Sequence, residues 1–133
     1  MVYALANEVL TVPYVLNGFD PSGWDCRGLV SWCRREWKGL SSPGFDGFFP
    51  AEEATNVDTV QGLMLAQIGA WAKQDKIEQG HVALFTVRQR VAHVGYLLND
   101  HEFLHAREGF GTTTNSLHDR KWQRRFVGAY ELR

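Results

Sequence analysis

The stretch that decides the fold runs from Asp25 to Gly39, with the sequence DCRGLVSWCRREWKG. Its apolar residues recur at i, i+3, i+4, i+7 and i+11, the spacing of one helical face; they are Cys26, Leu29, Val30, Cys33 and Trp37. Asp25 stands at an N-cap position, and Gly39 is a natural residue to follow the last turn. The pattern therefore predicts an amphipathic helix that begins with Cys26.

The residues on either side of this helix divide into a turn and a second helix. Upstream, residues 20–23 (DPSG) are typical of a turn. Downstream, residues 41–50 read as a loop that carries three Phe, and that loop either packs over the helix or walls a cleft. A second helix is predicted to begin at Asp58 and to end between Trp71 and Lys76, because its apolar residues again follow helical spacing; they are Val60, Leu63, Met64, Ile68 and Trp71.

The last third of the chain is predicted to form strands. Four segments have strand character, and a turn at Asn99 and Asp100 separates two of them; the segments are residues 82–87, 92–98, 102–106 and 126–132. Helices followed by antiparallel strands indicate an α+β fold. Because no repeat or linker divides the sequence, residues 1–133 are expected to form a single domain.

Composition limits the classes of function. Apolar residues make up 44% of the 133 residues, which excludes intrinsic disorder. The formal net charge of −1 gives no argument for a nucleic acid or an anionic membrane as partner. Two cysteines exclude a disulfide-dense scaffold and a four-thiolate zinc site.

The sequence carries no predicted targeting or membrane segment. No apolar run reaches the roughly 18–20 residues that span a bilayer. Met1 to Pro13 lacks a basic n-region and contains Glu8, so it does not read as a secretory signal. We therefore expect the protein to be cytosolic at synthesis and not inserted in a membrane.

Cys26 is the strongest candidate for chemistry in the predicted helix. A free thiol has a pKa of about 8.5 and is a weak nucleophile until it ionises. The N-terminus of a helix carries about half a positive charge, and a neighbouring imidazolium would add a full one. The position therefore favours a thiolate–imidazolium pair, although a small buried hydrophobic residue is the commonest role of a free cysteine.

His93 and His105 are the candidate partners of that thiol. They lie on the two predicted strands that flank the Asn99–Asp100 turn, so their side chains can meet across the sheet. One imidazole can then act as base while the other fixes its tautomer. From spacing alone, ordinary core or surface histidines remain an alternative, as does a metal site formed by His93, His101 and His105.

Ordered motifs resemble one family of peptidases. The stretches that carry the resemblance are residues 13–18 (PYVLNG), 19–30 ending in DCRGLV, 80–85 (GHVALF), 93–97 (HVGYL) and 102–106 (EFLHA). They are similar to the motifs of NlpC-type (NlpC/P60) cysteine peptidases, a papain-like group, over about residues 9 to 130. The resemblance implies an α+β fold in which the nucleophile helix packs on a central antiparallel sheet.

The resemblance also implies the chemistry of the site. Cys26 would be the nucleophile, His93 the general base and acid, and His105 the orienting third residue. The reaction would be hydrolysis of an amide bond of a peptidoglycan stem peptide, at the bond between D-glutamate and diaminopimelate, with no metal or organic cofactor. Tyr14 and Asp25 would contact the substrate. Arg27 replaces the serine that the family usually carries in its recognition pocket, which points to a different peptide preference.

The chain is further similar to the phage-tail-associated members of this family. The similarity lies in residues 122–126, in residues 128–130 and in the single-domain length. It implies a protein of the virion tail, with other tail proteins as partners, that acts at the bacterial wall. Two other functions remain: an acyltransferase or amidase that uses the same triad on a non-wall substrate, and a non-catalytic component of tail assembly.

Overall fold

A computed structural model of the chain describes residues 2–42 and 71–132. Within these ranges three helices and eight strands follow one another along the chain. They are α1 (Val2–Val9), β1 (Phe19–Asp20), β2 (Gly23–Trp24), α2 (Cys26–Lys38), β3 (Trp71–Gln74), β4 (Val82–Val87), β5 (Arg90–Leu97), β6 (Glu102–Arg107), β7 (Gly111–Ser116), α3 (Arg120–Arg125) and β8 (Phe126–Leu132).

Helix α2 begins and ends where the sequence predicts. The Asp25 carboxylate accepts a hydrogen bond from the Gly28 N–H at 2.9 Å, which satisfies one of the free donors of the first turn. Gly39 adopts the left-handed conformation, φ 67°, and its N–H closes the last turn. Both ends of the helix are therefore fixed by local sequence, and Cys26 is its first residue.

One six-stranded sheet forms the second layer, in the order β3-β8-β4-β5-β6-β7. All of its neighbouring strands are antiparallel. Helix α2 packs against β5 and β6, the two strands that carry His93 and His105. The predicted α+β fold with the nucleophile helix on an antiparallel sheet is confirmed.

Both faces of the sheet are buried. Alternation along β4 points Val82 and Leu84 toward the cluster that includes Leu29 of α2. Ala83 and Phe85 point to the opposite face, where Trp122 of α3 covers them. The sheet is thus held between α2 on one side and the short α3 on the other.

The predicted second helix is wrong at its end. Trp71–Gln74, where that helix should finish, is strand β3, paired with β8 from Trp71↔Leu132 to Gln74↔Ala129. The apolar Trp71 fits a helical face and a strand equally, and pairing with β8 decides between them. Residues 58–70 and the Phe-rich loop lie outside the described residues.

The chain before Cys26 is tied to the far edge of the sheet. Thr112 of β7 donates its hydroxyl to the Val12 carbonyl at 2.9 Å, and its hydroxyl oxygen accepts from the Trp24 indole N–H at 2.8 Å. All three residues are buried. This network fixes the segment that carries Tyr14 and leads into α2. No helix in the part of the chain that the structure describes is long and apolar enough to cross a membrane.

Candidate active site

A cleft of about 290 Å³ brings together residues that are distant in the sequence. Tyr14 and Cys26 contribute from the segment around the start of α2, and His93 contributes from β5. Arg107, the last residue of β6, and Arg125, the last residue of α3, also line the cleft. The cleft thus brings the sulfur at the start of α2 and an imidazole of the sheet into one site, as the sequence predicts.

His93 and His105 form a hydrogen-bonded pair, as the sequence predicts. His93 Nε2 lies 2.8 Å from His105 Nδ1, and the two rings meet edge to face. Gly95 lies two residues beyond His93 on β5, where a Cβ would lie only 3.0 Å from the Phe103 ring and 3.3 Å from the Leu104 carbonyl of β6. The missing side chain lets β5 and β6 approach closely enough for the imidazoles to touch.

A third polar residue, Asn115, continues the chain of hydrogen bonds. Its Oδ1 lies 2.7 Å from His105 Nε2. An amide oxygen only accepts, so His105 carries its proton on Nε2 and its Nδ1 is an acceptor. His93 must then donate from Nε2, which leaves a lone pair on His93 Nδ1. The chain of bonds therefore selects the tautomer that a general base needs.

Burial keeps both imidazoles neutral. The pKa of His93 lies well below its ordinary value because the ring is desolvated, and the charges of His105, Arg107 and Arg125 lower it further. Burial lowers the pKa of His105 to about 4, although the hydrogen bond to Asn115 acts in the opposite direction. At neutral pH the pair enters the reaction uncharged.

The resting thiol is neutral as well, which corrects the expected thiolate–imidazolium pair. Burial and, to a smaller extent, the Asp25 carboxylate raise the pKa of Cys26 to about 12. The Val94 N–H and the guanidinium and N–H of Arg27 act in the opposite direction but do not offset this rise. Among the described residues no hydrogen bond joins Sγ to His93. Desolvation of both ions outweighs the helix end, so a reaction at this thiol would have to create the charges as it proceeds.

Tyr14 lies in the cleft with its hydroxyl protonated. Its backbone bridges to Trp24 beside the start of α2. Burial raises its pKa above the ordinary range, and negative charge on Cys26 and Asp25 acts in the same direction. Tyr14 can therefore present a neutral O–H donor at the thiol.

Asp25 and Arg27, the other predicted substrate contacts, are buried against each other. Their side chains approach to 3.4 Å. The Asp25 carboxylate also accepts from the backbone N–H groups of Gly28 and Asn17, at 2.9 Å each. Neither residue belongs to the lining of the cleft, so direct contact with substrate stays a prediction for both.

The alternative metal site is not assembled. His101 stacks on His118 with ring centroids 4.4 Å apart and bonds to Asp100, whereas His93 and His105 bond to each other. Within residues 2–42 and 71–132 no three His, Cys, Asp or Glu side chains are grouped as metal ligands. The two cysteines are free.

Sequence reasoning missed four residues at the site: Asn115, Trp122, Arg107 and Arg125. Asn115 lies in β7, a Thr-rich segment whose propensity for strands was overlooked. Arg107 ends β6, and Trp122 and Arg125 lie on the short helix α3; the fold brings all three to the cleft. For Arg125 the signal in the sequence is only a small basic run in residues 120–125, which also fits an ordinary solvated helix face, and Arg107 lies outside that run.

Comparison with known proteins identifies the family. The NlpC/P60 family model matches residues 11–131. The murein DD-endopeptidase MepS/murein LD-carboxypeptidase of Escherichia coli (strain K12) is 25% identical over 115 residues, 86% of this chain and 53% of that protein. The chain spans about half the length of the curated relatives it matches.

Solved structures share the fold. An NlpC/P60 family protein from Bacillus cereus ATCC 10987 superposes with a TM-score of 0.70 at 19% identity, covering 98% of this chain and 39% of that one. A lipoprotein-like NLP/P60 family protein from Staphylococcus aureus subsp. aureus Mu50 superposes with a TM-score of 0.66 at 24% identity, and the match covers 98% of this chain and 40% of that one. The NlpC/p60 domain of the peptidoglycan hydrolase SagA superposes with a TM-score of 0.63 at 19% identity, and the match covers 98% of this chain and 96% of that domain. By its sequence match, and with this fold, the chain belongs to the NlpC/P60 family.

Proposed function

We propose that this protein is a cysteine endopeptidase that hydrolyses amide bonds of peptidoglycan stem peptides. The observation that carries the proposal is the cleft shared by Cys26 and His93, with His93 bonded to His105 and His105 to Asn115. Family membership and the murein endopeptidase named among the relatives support the substrate class. The finer assignment, the bond between D-glutamate and diaminopimelate, rests on the motif resemblance.

In the first step Cys26 attacks the substrate carbonyl. The Sγ proton passes to His93 Nδ1 as the carbon–sulfur bond forms, because neither group is charged at rest. The new imidazolium donates from Nε2 to His105 Nδ1, and His105 holds its acceptor geometry through Asn115. The two side chains line the same cleft, and the proton transfer requires them to come within hydrogen-bond distance of each other.

The negative charge that develops on the carbonyl oxygen needs donors. The Cys26 backbone N–H is one, because the first residues of a helix have no intrahelical acceptor. The Tyr14 hydroxyl is the second, since it lies in the same cleft and stays protonated. Both donors belong to the rigid segment that the Thr112 network holds in place.

Collapse of the tetrahedral intermediate completes the cycle. His93 gives its proton to the departing nitrogen, the carbon–nitrogen bond breaks, and a thioester remains on Cys26. Water then transfers a proton to His93 and adds to the thioester, and the released sulfur recovers the proton. The products are a free carboxylic acid and a free amine.

The setting in a phage tail is proposed on the motif resemblance alone. Packaging into virions is expected, and it is checked by detecting the chain in purified particles from a producing strain.

An acyltransferase with the same triad would yield new amides when amines are added, whereas the hydrolase yields the acid.

The proposed hydrolysis is tested with purified peptidoglycan. Cys26→Ala should abolish the release of new amino groups, and Cys33→Ala is the matched control because Cys33 is buried on the same helix away from the cleft. Circular dichroism checks that both variants fold. Release of amines by Cys26→Ala at the wild-type rate would remove the nucleophile assignment. A folded wild-type protein that releases none, with a Cys26 thiol inert to alkylation, would favour the non-catalytic tail component.

A further inference from the structure

Two guanidinium groups lie in the cleft beside the general base. Arg107 ends β6 and Arg125 ends α3, so residues distant in sequence converge here. Both side chains are half-buried. Burial and the charge of His105 lower the pKa of His93 most, and the charges of the two arginines lower it further. Neither arginine is among the groups that shift the pKa of Cys26. The two cations therefore act on the histidine end of the cleft.

Within the part of the chain that the structure describes, neither of these cations has a carboxylate partner. Among residues 2–42 and 71–132 no carboxylate lies within 4.0 Å of either guanidinium. Elsewhere, buried Arg34 has Glu131 at 2.7 Å. Glu108 also lines the cleft, but it is exposed, and its charge is felt at Tyr14.

The indole of Trp122 holds both guanidiniums in place. Their central carbons lie 5.1 Å (Arg107) and 5.6 Å (Arg125) from the ring centroid, and Arg107 also stands 4.3 Å from the centroid of Phe110. Cation–π contacts orient the guanidiniums without removing their charge or occupying their N–H donors. Burial, followed by repulsion from Arg125, lowers the pKa of Arg107. The pair is preorganised for an anion.

We propose that Arg107 and Arg125 form a subsite for a carboxylate on the leaving-group side of the substrate. The proposal rests on the proposed function, because the proton donor to the departing amine is His93 and groups beside it face that product. Guanidinium groups match carboxylates through two parallel hydrogen bonds. A bound carboxylate would also offset the charges that hold down the proton affinity of His93, so correct substrate would make the base stronger.

The test uses two synthetic stem peptides that differ at one group. The residue that supplies the leaving amine carries a free carboxylate in one peptide and a carboxamide in the other. Wild-type protein should show kcat/KM higher for the carboxylate by about 10- to 100-fold. Arg107→Met and Arg125→Met should each lose most of that ratio. Arg124→Met, an exposed neighbour on α3, is the matched control and should keep it.

The outcomes separate the subsite from the proposed function. Equal rates on both peptides in the wild type, or equal losses on both in the arginine variants, would overturn the subsite and leave the peptidase standing. If neither peptide is cleaved, calorimetric titration of both into Cys26→Ala still decides the question. Tighter binding of the carboxylate peptide supports the subsite, and equal binding removes it.

Discussion

The two ends of the cleft are built differently. The nucleophile end is a continuous stretch, from Val12 to Gly28, held by an N-cap and by the Thr112 network. The histidine end is assembled from β5, β6 and β7, which only sheet pairing brings together. Local capping thus sets where the helix and its sulfur begin, and the Thr112 network anchors that segment to the sheet. The tautomer and charge state of the base, in contrast, depend on sheet pairing throughout. Substitutions at the two ends should therefore fail in different ways.

Apart from removal of Cys26 itself, the largest effect is expected at the histidine end. His93→Gln removes the proton acceptor from a thiol whose pKa is about 12, so kcat/KM should fall by about 10³-fold or more. His118→Gln, outside the cleft, should leave kcat/KM unchanged. The rate of release of amino groups from peptidoglycan measures both. Activity of His93→Gln within tenfold of wild type would show that another group is the base.

Acid should destabilise the histidine end. In the unfolded chain His105 titrates near its ordinary pKa of 6.5, whereas in the folded protein it titrates near 4. Between these values the unfolded state binds a proton that the folded state does not, so the free energy of unfolding falls as pH drops below 6.5. The loss should approach about 3 kcal/mol by pH 4, with more from His93.

Urea unfolding across this pH range measures the effect. His105→Asn should flatten the slope between pH 6.5 and 4, and His118→Gln should not. A wild-type slope unaffected by His105→Asn would show that His105 is not the buried neutral ring described above.

Removal of Asn115 should have a smaller effect. Asn115→Leu leaves the His105 Nε2–H without its acceptor, so the tautomer of His93 is no longer selected, and kcat/KM should fall about 10- to 100-fold. Thr114→Val, the preceding residue of β7, is the control. Nitrogen NMR of the imidazoles should show mixed His93 tautomers in Asn115→Leu. A single unchanged tautomer would refute the positioning role.

The smallest effect is expected at the nucleophile end. Asp25→Asn keeps an oxygen to cap Gly28 but removes the negative charge that raises the Cys26 pKa. The midpoint of the alkylation rate against pH should therefore move to lower pH. Iodoacetamide labelling followed by mass spectrometry measures it, with Asp100→Asn as the exposed control. A midpoint that stays in place would assign the high pKa to burial alone.

The difference between the two ends also explains what the sequence could predict. The α2 boundaries, the four strand segments and the Asn99–Asp100 turn followed from local periodicity and capping. The neutral charge state of Cys26 could not be predicted in this way, because desolvation depends on which groups pack around Sγ. Asn115 could not be predicted either, since a Thr-rich segment gives little hydrophobic alternation to detect. Trp71 misled the prediction because a single apolar residue fits a helix and a strand alike.

The most direct test of the account is to capture the acyl-enzyme. Wild-type protein mixed with a stem peptide and quenched in acid within one turnover should gain the mass of the acyl fragment, carried by the proteolytic peptide that contains Cys26. His105→Asn should accumulate the same adduct more slowly, and Cys26→Ala should show none. Product formation in the wild type with no adduct on Cys26, or with the adduct on another residue, would contradict the account.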